Sequence, residues 1–318
     1  MISKNSNSKI TIGVVALSLP VNFNSSIQKN IQQNLKNLEL LGYNLVLGKT
    51  VNSNFGYKSN SIKNRVDDLH QMFLNPEVEV IFNTLGGYNS NEILEFIDYD
   101  LIKKHPKPFI GYSDITTLNF ALYKKSNLAT INGYFIKDLH LVKNWENQIE
   151  QAIVKDTFEL KNETFYQASY SENVFKTPKL KFLEGKKETA NGKVLAANLS
   201  TFNLLLGTDY MPNLDGHILF LEYDKEEEMA MPSLERMLWQ IRQNGIFERI
   251  NGLVFGLLEP RAKQQEKLPQ TIKQILQDVT EDYNFLVAYD AQFGHIYPSF
   301  VLKNGVKTTI DFSSFNLD

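Results

Sequence analysis

The stretch Phe109-Ile-Gly-Tyr-Ser-Asp-Ile-Thr-Thr117 fixes the fold class. It follows the breaker Pro106-Lys-Pro108, so Phe109 and Ile110 read as a short buried strand, Gly111 permits a tight turn, and Ser113 and Asp114 are helix-starting residues. Helical spacing then runs to about Lys125. A strand that passes through a glycine turn into a helix is half of a βαβ unit, and such units build parallel sheets.

The same alternation extends on both sides. Ile10 to Leu17 is the first strand, Ser26 to Leu41 an amphipathic helix closed by Gly42, and Tyr43 to Leu47 a second strand. Asn60 to Leu74 is helical, Val78 to Thr84 is a strand ending in Gly86-Gly87, and Asn91 to Ile97 is helical again. From about Leu141 to Gly192 the pattern weakens around Pro178 and the charged stretch Glu184 to Glu188, as expected of an inter-domain or lid segment. A second unit starts at Lys193. It has a Leu-rich helix over Asn198 to Leu206, a strand His217 to Glu222, a helix Met231 to Asn244 with Trp239 inside, and a strand Ile250 to Gly256. A helix Leu268 to Val279 and strands at Phe285 to Ala288 and Val306 to Phe312 complete it. The fold class is α/β, and the strand ends deliver their glycine turns to the edge where open α/β sheets place their sites.

Composition bounds the chemistry. The chain has 318 residues, 42% hydrophobic and 22% charged, which supports two domains with real cores and excludes disorder. Cysteine is absent, so disulfides, thiolate zinc and a cysteine nucleophile are excluded, and covalent catalysis falls to Ser, Thr, Lys or a carboxylate. A net charge of −3 with scattered Lys and Arg gives no footprint for a nucleic-acid partner. Lys4 and Lys9 ahead of Ile10 to Leu19 superficially resemble the start of a signal peptide, but the run is short and reads better as a buried strand. No stretch approaches the roughly 20 apolar residues that span a bilayer, so no membrane partner is expected.

Three groups of residues carry candidate chemistry. Ser113 stands where a strand meets a helix, as in a nucleophile elbow, although the second glycine of the hydrolase pattern is missing and a helix N-cap is the simpler alternative. Gly86-Gly87 closes a strand, so its backbone N–H groups fit an oxyanion or a phosphate, or the glycines serve only a turn. Glu222 ends an apolar strand and His295 follows Gly294 in a turn, whereas Asp224, Glu226, Glu227 and Glu228 read as a solvated acidic loop. His70 falls in a helix, and His105, His140 and His217 read as loop or surface positions. A serine nucleophile needs a base, and the base needs an acid to fix its tautomer, so Ser113, His295 and Glu222 form a candidate triad. A two-domain small-molecule binding protein and a dinucleotide oxidoreductase are the alternatives, the latter opposed by the missing Gly-x-Gly-x-x-Gly.

Thr84-Leu-Gly-Gly-Tyr-Asn-Ser-Asn91, Ile97-Asp-Tyr-Asp100 and the 109–117 stretch, followed in order by Asn198-Leu-Ser-Thr201, Gly207-Thr208, Ile218-Leu-Phe-Leu-Glu222, Glu235-Arg-Met-Leu238 and Phe293-Gly-His295, resemble the LD-carboxypeptidase and microcin C self-immunity family of serine peptidases. The resemblance covers nearly the whole chain. It implies an N-terminal parallel-sheet domain similar to glutamine amidotransferases, residues 1–168, carrying the nucleophile, and a β-rich C-terminal α/β domain, residues 169–318, carrying the Glu and His. An active site composed in this way requires both domains.

The implied triad is Ser113, Glu222 and His295, with the backbone N–H groups of Gly87 and Asp114 as the oxyanion hole and Asn198 and Tyr88 as substrate-binding residues. The resemblance further implies a cytoplasmic homodimer without metal or cofactor. Its substrate is either a cell-wall tetrapeptide, cut at the bond to the terminal D-alanine, or a peptidyl or aminoacyl nucleotide of the microcin C type. The run Gly86 to Asn91 is closer to the immunity branch. Two departures bear on this: Ala196-Ala197-Asn198 replaces the family's Gly-Gly-Asn, and the lid holds a single Trp, Trp145, near its start. A nucleotide-stacking aromatic in the lid would therefore fall on Phe175 or Phe182.

Overall fold

A computed structural model describes residues 9–154, 162–168, 173–224, 230–258 and 271–311. Glu226, Glu227 and Glu228 of the acidic loop, and the basic start before Lys9, lie outside these residues. By contacts the chain divides into one unit of Met1–Lys155 with Asp209–Pro212 and another of Asp156–Thr208 with Asn213–Asp318. Among the described residues no helix is long and apolar enough to cross a membrane.

The N-terminal unit is a parallel sheet with crossover helices. Its strands are β1 (Thr11–Val15), β2 (Asn44–Leu47), β3 (Val80–Asn83), β4 (Phe109–Ile110) and β5 (Ile131–Asn132), in the order β5-β4-β3-β1-β2. Registers such as Val14 opposite Leu47 and Phe82, and Phe82 opposite Ile110, are parallel throughout. β1 and β3 are buried along their whole length, which is why they read as continuous apolar runs rather than alternating ones. Helices α1 (Ser25–Leu40) and α2 (Ile62–Leu74) start where side chains satisfy their free amides: Asn24 Oδ1 accepts from Ile27 N at 2.8 Å, and Ser61 Oγ from Asn64 N at 3.3 Å. α3 (Tyr99–Lys104), α4 (Thr116–Ser126) and α5 (Trp145–Val154) complete the unit. The segment expected to be helical at Asn91 to Ile97 is a 3-10 helix, Ser90–Phe96.

The C-terminal unit is β-rich. It holds β6 (Phe165–Ala168), β7 (Val174–Lys176), β8 (Lys181–Phe182), β9 (Thr189–Asn198), β10 (His217–Glu222), β11 (Gly252–Gly256), β12 (Leu286–Ala291), β13 (Ile296–Tyr297), β14 (Leu302–Lys303) and β15 (Lys307–Asp311). One sheet runs β15-β9-β10-β11-β12-β8, parallel from β9 to β12 and antiparallel at both edges. A second, antiparallel sheet runs β13-β6-β7. Among the described residues its helices are α6 (Leu199–Leu204), α7 (Ala230–Gln243) and α8 (Ile272–Thr280). The core gathers Val194, Ala196, Ile218, Phe220, Val254 and Phe293, with Leu302 of β14.

Four sequence expectations change. Asn198 ends a ten-residue strand, paired with Glu222, so the Leu-rich helix expected from Asn198 starts at Leu199 and runs six residues. Trp239 is half-buried rather than inside, with the Arg242 guanidinium 5.1 Å over its ring. His217 is buried at the start of β10, with Nδ1 3.1 Å from the Asp215 carbonyl. Trp145 is half-buried and packs on Tyr43 and edge-on against Phe82, centroids 6.2 Å apart in both cases, so it is engaged within the N-terminal unit.

Candidate active site

Ser113 opens a single 3-10 turn, Ser113–Ile115, directly between β4 and α4, and its φ is +55°. A non-glycine residue in the left-handed region costs roughly 1–2 kcal/mol, a strain that clusters at functional sites. The N-cap alternative does not apply: Tyr112 holds the cap position and no side chain caps the turn. The Gly86-Gly87 loop lies against the hydroxyl, since a Cβ placed on Gly86 would stand 3.2 Å from Ser113 Oγ. Gly87 has φ +149°, and a Cβ there would stand 2.3 Å from Ser18 Oγ. Only glycine fits that position.

Asp114 is buried, and its Oδ2 accepts three hydrogen bonds: from Ser18 Oγ at 2.5 Å, Asn89 N at 3.0 Å and Ser90 N at 2.9 Å. Burial pushes its carboxyl above the ordinary value, against the opposing pull of these donors. Ser90 Oγ returns a bond to the Asp114 carbonyl at 2.6 Å. Beneath the loop, the fully buried Arg65 donates to the Leu17 and Asn89 carbonyls and to Asn89 Oδ1, and pairs with Glu92 at 2.6 Å. Tyr88, between Gly87 and Asn89, is exposed.

The other expected partners lie in the C-terminal unit. Glu222 is the last residue of β10 and is buried, and its Oε2 stands 2.8 Å from His295 Nδ1. A carboxylate there accepts from an Nδ1–H and orients the ring. Asn198 Nδ2 donates to Glu222 Oε1 at 2.9 Å, so both carboxylate oxygens are engaged. Asn198 Oδ1 meanwhile accepts from Thr201 N at 3.1 Å and caps α6. The residue expected to bind substrate thus also holds Glu222. Gly294 has φ +120°, and a Cβ on it would meet Glu222 Cβ at 2.9 Å, so glycine at this turn lets His295 close on the carboxylate.

Asp224 corrects an expectation. It is buried rather than solvated, and its Oδ2 lies 3.5 Å from His295 Nε2. A proton gained at Nε2 therefore faces a second carboxylate in a low-dielectric setting. Nothing in the sequence distinguished Asp224 from the acidic residues after it. Ser18, Asn89 and Arg65 were equally silent, being a loop serine, a loop asparagine and one of many scattered cations.

In the lid, Phe175 stacks on Tyr166 with centroids 5.5 Å apart, and both pack with Leu257 and Ile296. Ile296 directly follows His295 in the chain. Phe182 packs on the sheet core instead.

Models of the LD-carboxypeptidase N-terminal and C-terminal domains match residues 12–133 and 191–310. A probable murein peptide carboxypeptidase of Bacillus subtilis is 30% identical over 95% of this chain and 88% of its own length. The chain belongs to the LD-carboxypeptidase family. Another relative of this LD-carboxypeptidase family protein is the microcin C7 self-immunity protein MccF of Escherichia coli, 29% identical over 96% of this chain and 92% of its own length. The crystal structure of an MccF-like protein from Bacillus anthracis superposes with a TM-score of 0.85 at 30% identity, covering 96% of this chain and 94% of that one. As a member of this family the protein is a carboxypeptidase-like hydrolase.

Proposed function

We propose that the protein is a serine amide hydrolase in which Ser113 attacks the carbonyl, His295 Nε2 takes the serine proton and returns it to the leaving amine, and Glu222 orients the imidazole through Nδ1. The Gly87 and Asp114 N–H groups receive the oxyanion, and water releases the acyl group in a second, equivalent step. The observation that carries this reading is the buried His295–Glu222 pair at 2.8 Å, in which the carboxylate holds and orients the imidazole. The strained backbone of Ser113 supports the nucleophile assignment. Ser113→Ala should abolish turnover without unfolding the protein, and hydrolysis by that variant at the parental rate would refute the assignment.

For the substrate we favour a peptidyl or aminoacyl nucleotide. The support is the near full-length likeness to a microcin C7 self-immunity protein and the aromatic pair Phe175–Tyr166, packed with the residue that follows His295. Phe175 would then present the stacking surface for a base. The likeness to a murein peptide carboxypeptidase favours a cell-wall tetrapeptide instead. Mass spectrometry of amide cleavage decides between them, with an aminoacyl sulfamoyl nucleotide in one reaction and a muropeptide tetrapeptide in the other. Phe175→Ala should raise KM for the nucleotide alone, and cleavage of the tetrapeptide only would overturn the preference. A homodimeric state and a cytoplasmic location belong to the same reading and rest on the family resemblance; sedimentation equilibrium tests the first and cell fractionation the second.

A further inference from the structure

The two expected oxyanion donors, Gly87 N–H and Asp114 N–H, come from different loops, so their spacing depends on whatever ties those loops together. The loop after β3 is held on both flanks. Before Gly87, the Gly86 carbonyl accepts from Leu19 N at 3.2 Å. After it, Asn89 N and Ser90 N donate to Asp114 Oδ2, and Ser90 Oγ donates to the Asp114 carbonyl. The loop after β1 joins through Ser18 Oγ, which donates to the same Oδ2 and stands against Gly87, where a Cβ would be 2.3 Å from it. One carboxylate oxygen, on the residue next to Ser113, therefore collects donors from both loops that flank the nucleophile turn. Arg65 fixes the far side of Asn89 from below.

We propose that the Asp114 side chain is a positioning residue that sets the distance between the Gly87 and Asp114 amides through its bonds to Ser18, Asn89 and Ser90. This rests on the reading of Ser113 as nucleophile and of these amides as the oxyanion hole. The role is geometric, requiring an acceptor oxygen at Oδ2 rather than a negative charge. A fixed negative charge beside a developing oxyanion opposes it, so the neutral isostere is expected to serve. Without the acceptor, both backbone amides at Asn89 and Ser90 are left unpaired in a buried loop, which shifts to find other partners.

The test compares Asp114→Asn, Asp114→Ala and Ser18→Ala with the parent in two measurements. The first is the rate at which a fluorophosphonate probe labels Ser113, located by peptide mass spectrometry; the second is kcat and KM for amide cleavage. Thermal melting of each variant accompanies both. Asp114→Ala should lose about 100-fold in kcat and in labelling rate, the size of losing one oxyanion donor, with KM changed less than about threefold. Asp114→Asn should restore both to within about tenfold of the parent, and Ser18→Ala should fall between them. A structural role alone predicts lower melting temperatures with unchanged kcat in the folded fraction. If Asp114→Ala does not fold, the Asn and Ser18→Ala variants carry the test. Labelling and kcat at parental levels in the folded Asp114→Ala or Ser18→Ala variant overturn the inference, as does an Asn variant no better than Ala. A parent enzyme that is active but never labelled at Ser113 overturns the nucleophile reading instead, so the two failures are distinct.

Discussion

His295 Nδ1 and Glu222 Oε2 lie 2.8 Å apart, and both side chains are buried. The contact depends on a carboxylate already held at its other oxygen by Asn198 and on a glycine that lets the turn close. Replacing the carboxylate by an amide keeps the shape and loses the charge that fixes the tautomer. Glu222→Gln should lower kcat by roughly 10³- to 10⁴-fold with little change in melting temperature, read by steady-state kinetics beside calorimetry.

Gly294→Ala should damage the same pair without touching its chemistry. The added Cβ meets Glu222 Cβ at 2.9 Å and must also adopt φ +120°. A loss of about 1–3 kcal/mol in urea unfolding, together with a fall in kcat, is expected. An Ala variant as stable and active as the parent would show that the turn relaxes freely.

Ser113 offers a stability comparison independent of turnover. Ser113→Ala and Ser113→Gly both remove the hydroxyl and should both be inactive, but alanine keeps the strain at φ +55° while glycine relieves it. The Gly variant should be about 1 kcal/mol more stable than the Ala variant in chemical denaturation. Equal stabilities would mean that the turn changes conformation when the hydroxyl is lost.

Burial lowers the His217 pKa below its ordinary 6.5, and burial likewise lowers His70 and His140. Since the unfolded chain then binds protons more readily, the stability these residues confer is present above about pH 6.5 and is lost as pH falls from there through the folded-state values. Urea midpoints between pH 7.5 and 5.5 should drop for the parent and drop less for His217→Gln. An unchanged slope in the variant would remove His217 from the account.

Arg65 is fully buried and supplies donors to the Leu17 and Asn89 carbonyls, Asn89 Oδ1 and Glu92. Arg65→Met should cost about 2–4 kcal/mol, because it leaves the buried Leu17 and Asn89 carbonyls and Asn89 Oδ1 without their donor, while Glu92 keeps Lys58 as its cation. Equilibrium unfolding reads this directly, and a cost under about 1 kcal/mol would mean that water replaces the guanidinium.

The sequence by itself determined the alternating strands and helices of the first half, the glycine turns at the strand ends and the absence of any thiol chemistry. Apolar periodicity and glycine placement are local properties, written into adjacent residues. Strand His217–Glu222 was legible to the residue because a turn glycine and a terminal carboxylate bound it. The bounds of the helix after Asn198 were less so: sheet pairing claims Asn198, the first residue expected in the helix, and the cap follows from that pairing rather than from local periodicity. Tertiary structure alone decided that Asp224 leaves the acidic loop for His295, that Trp145 is committed to Tyr43 and Phe82, and that Ser18, Asn89 and Ser90 meet on one oxygen of Asp114. These contacts join residues far apart in the chain, Ser18 and Asp114 being 96 positions apart. A buried polar group takes whichever partner the fold brings to it, and no local pattern records which one that is.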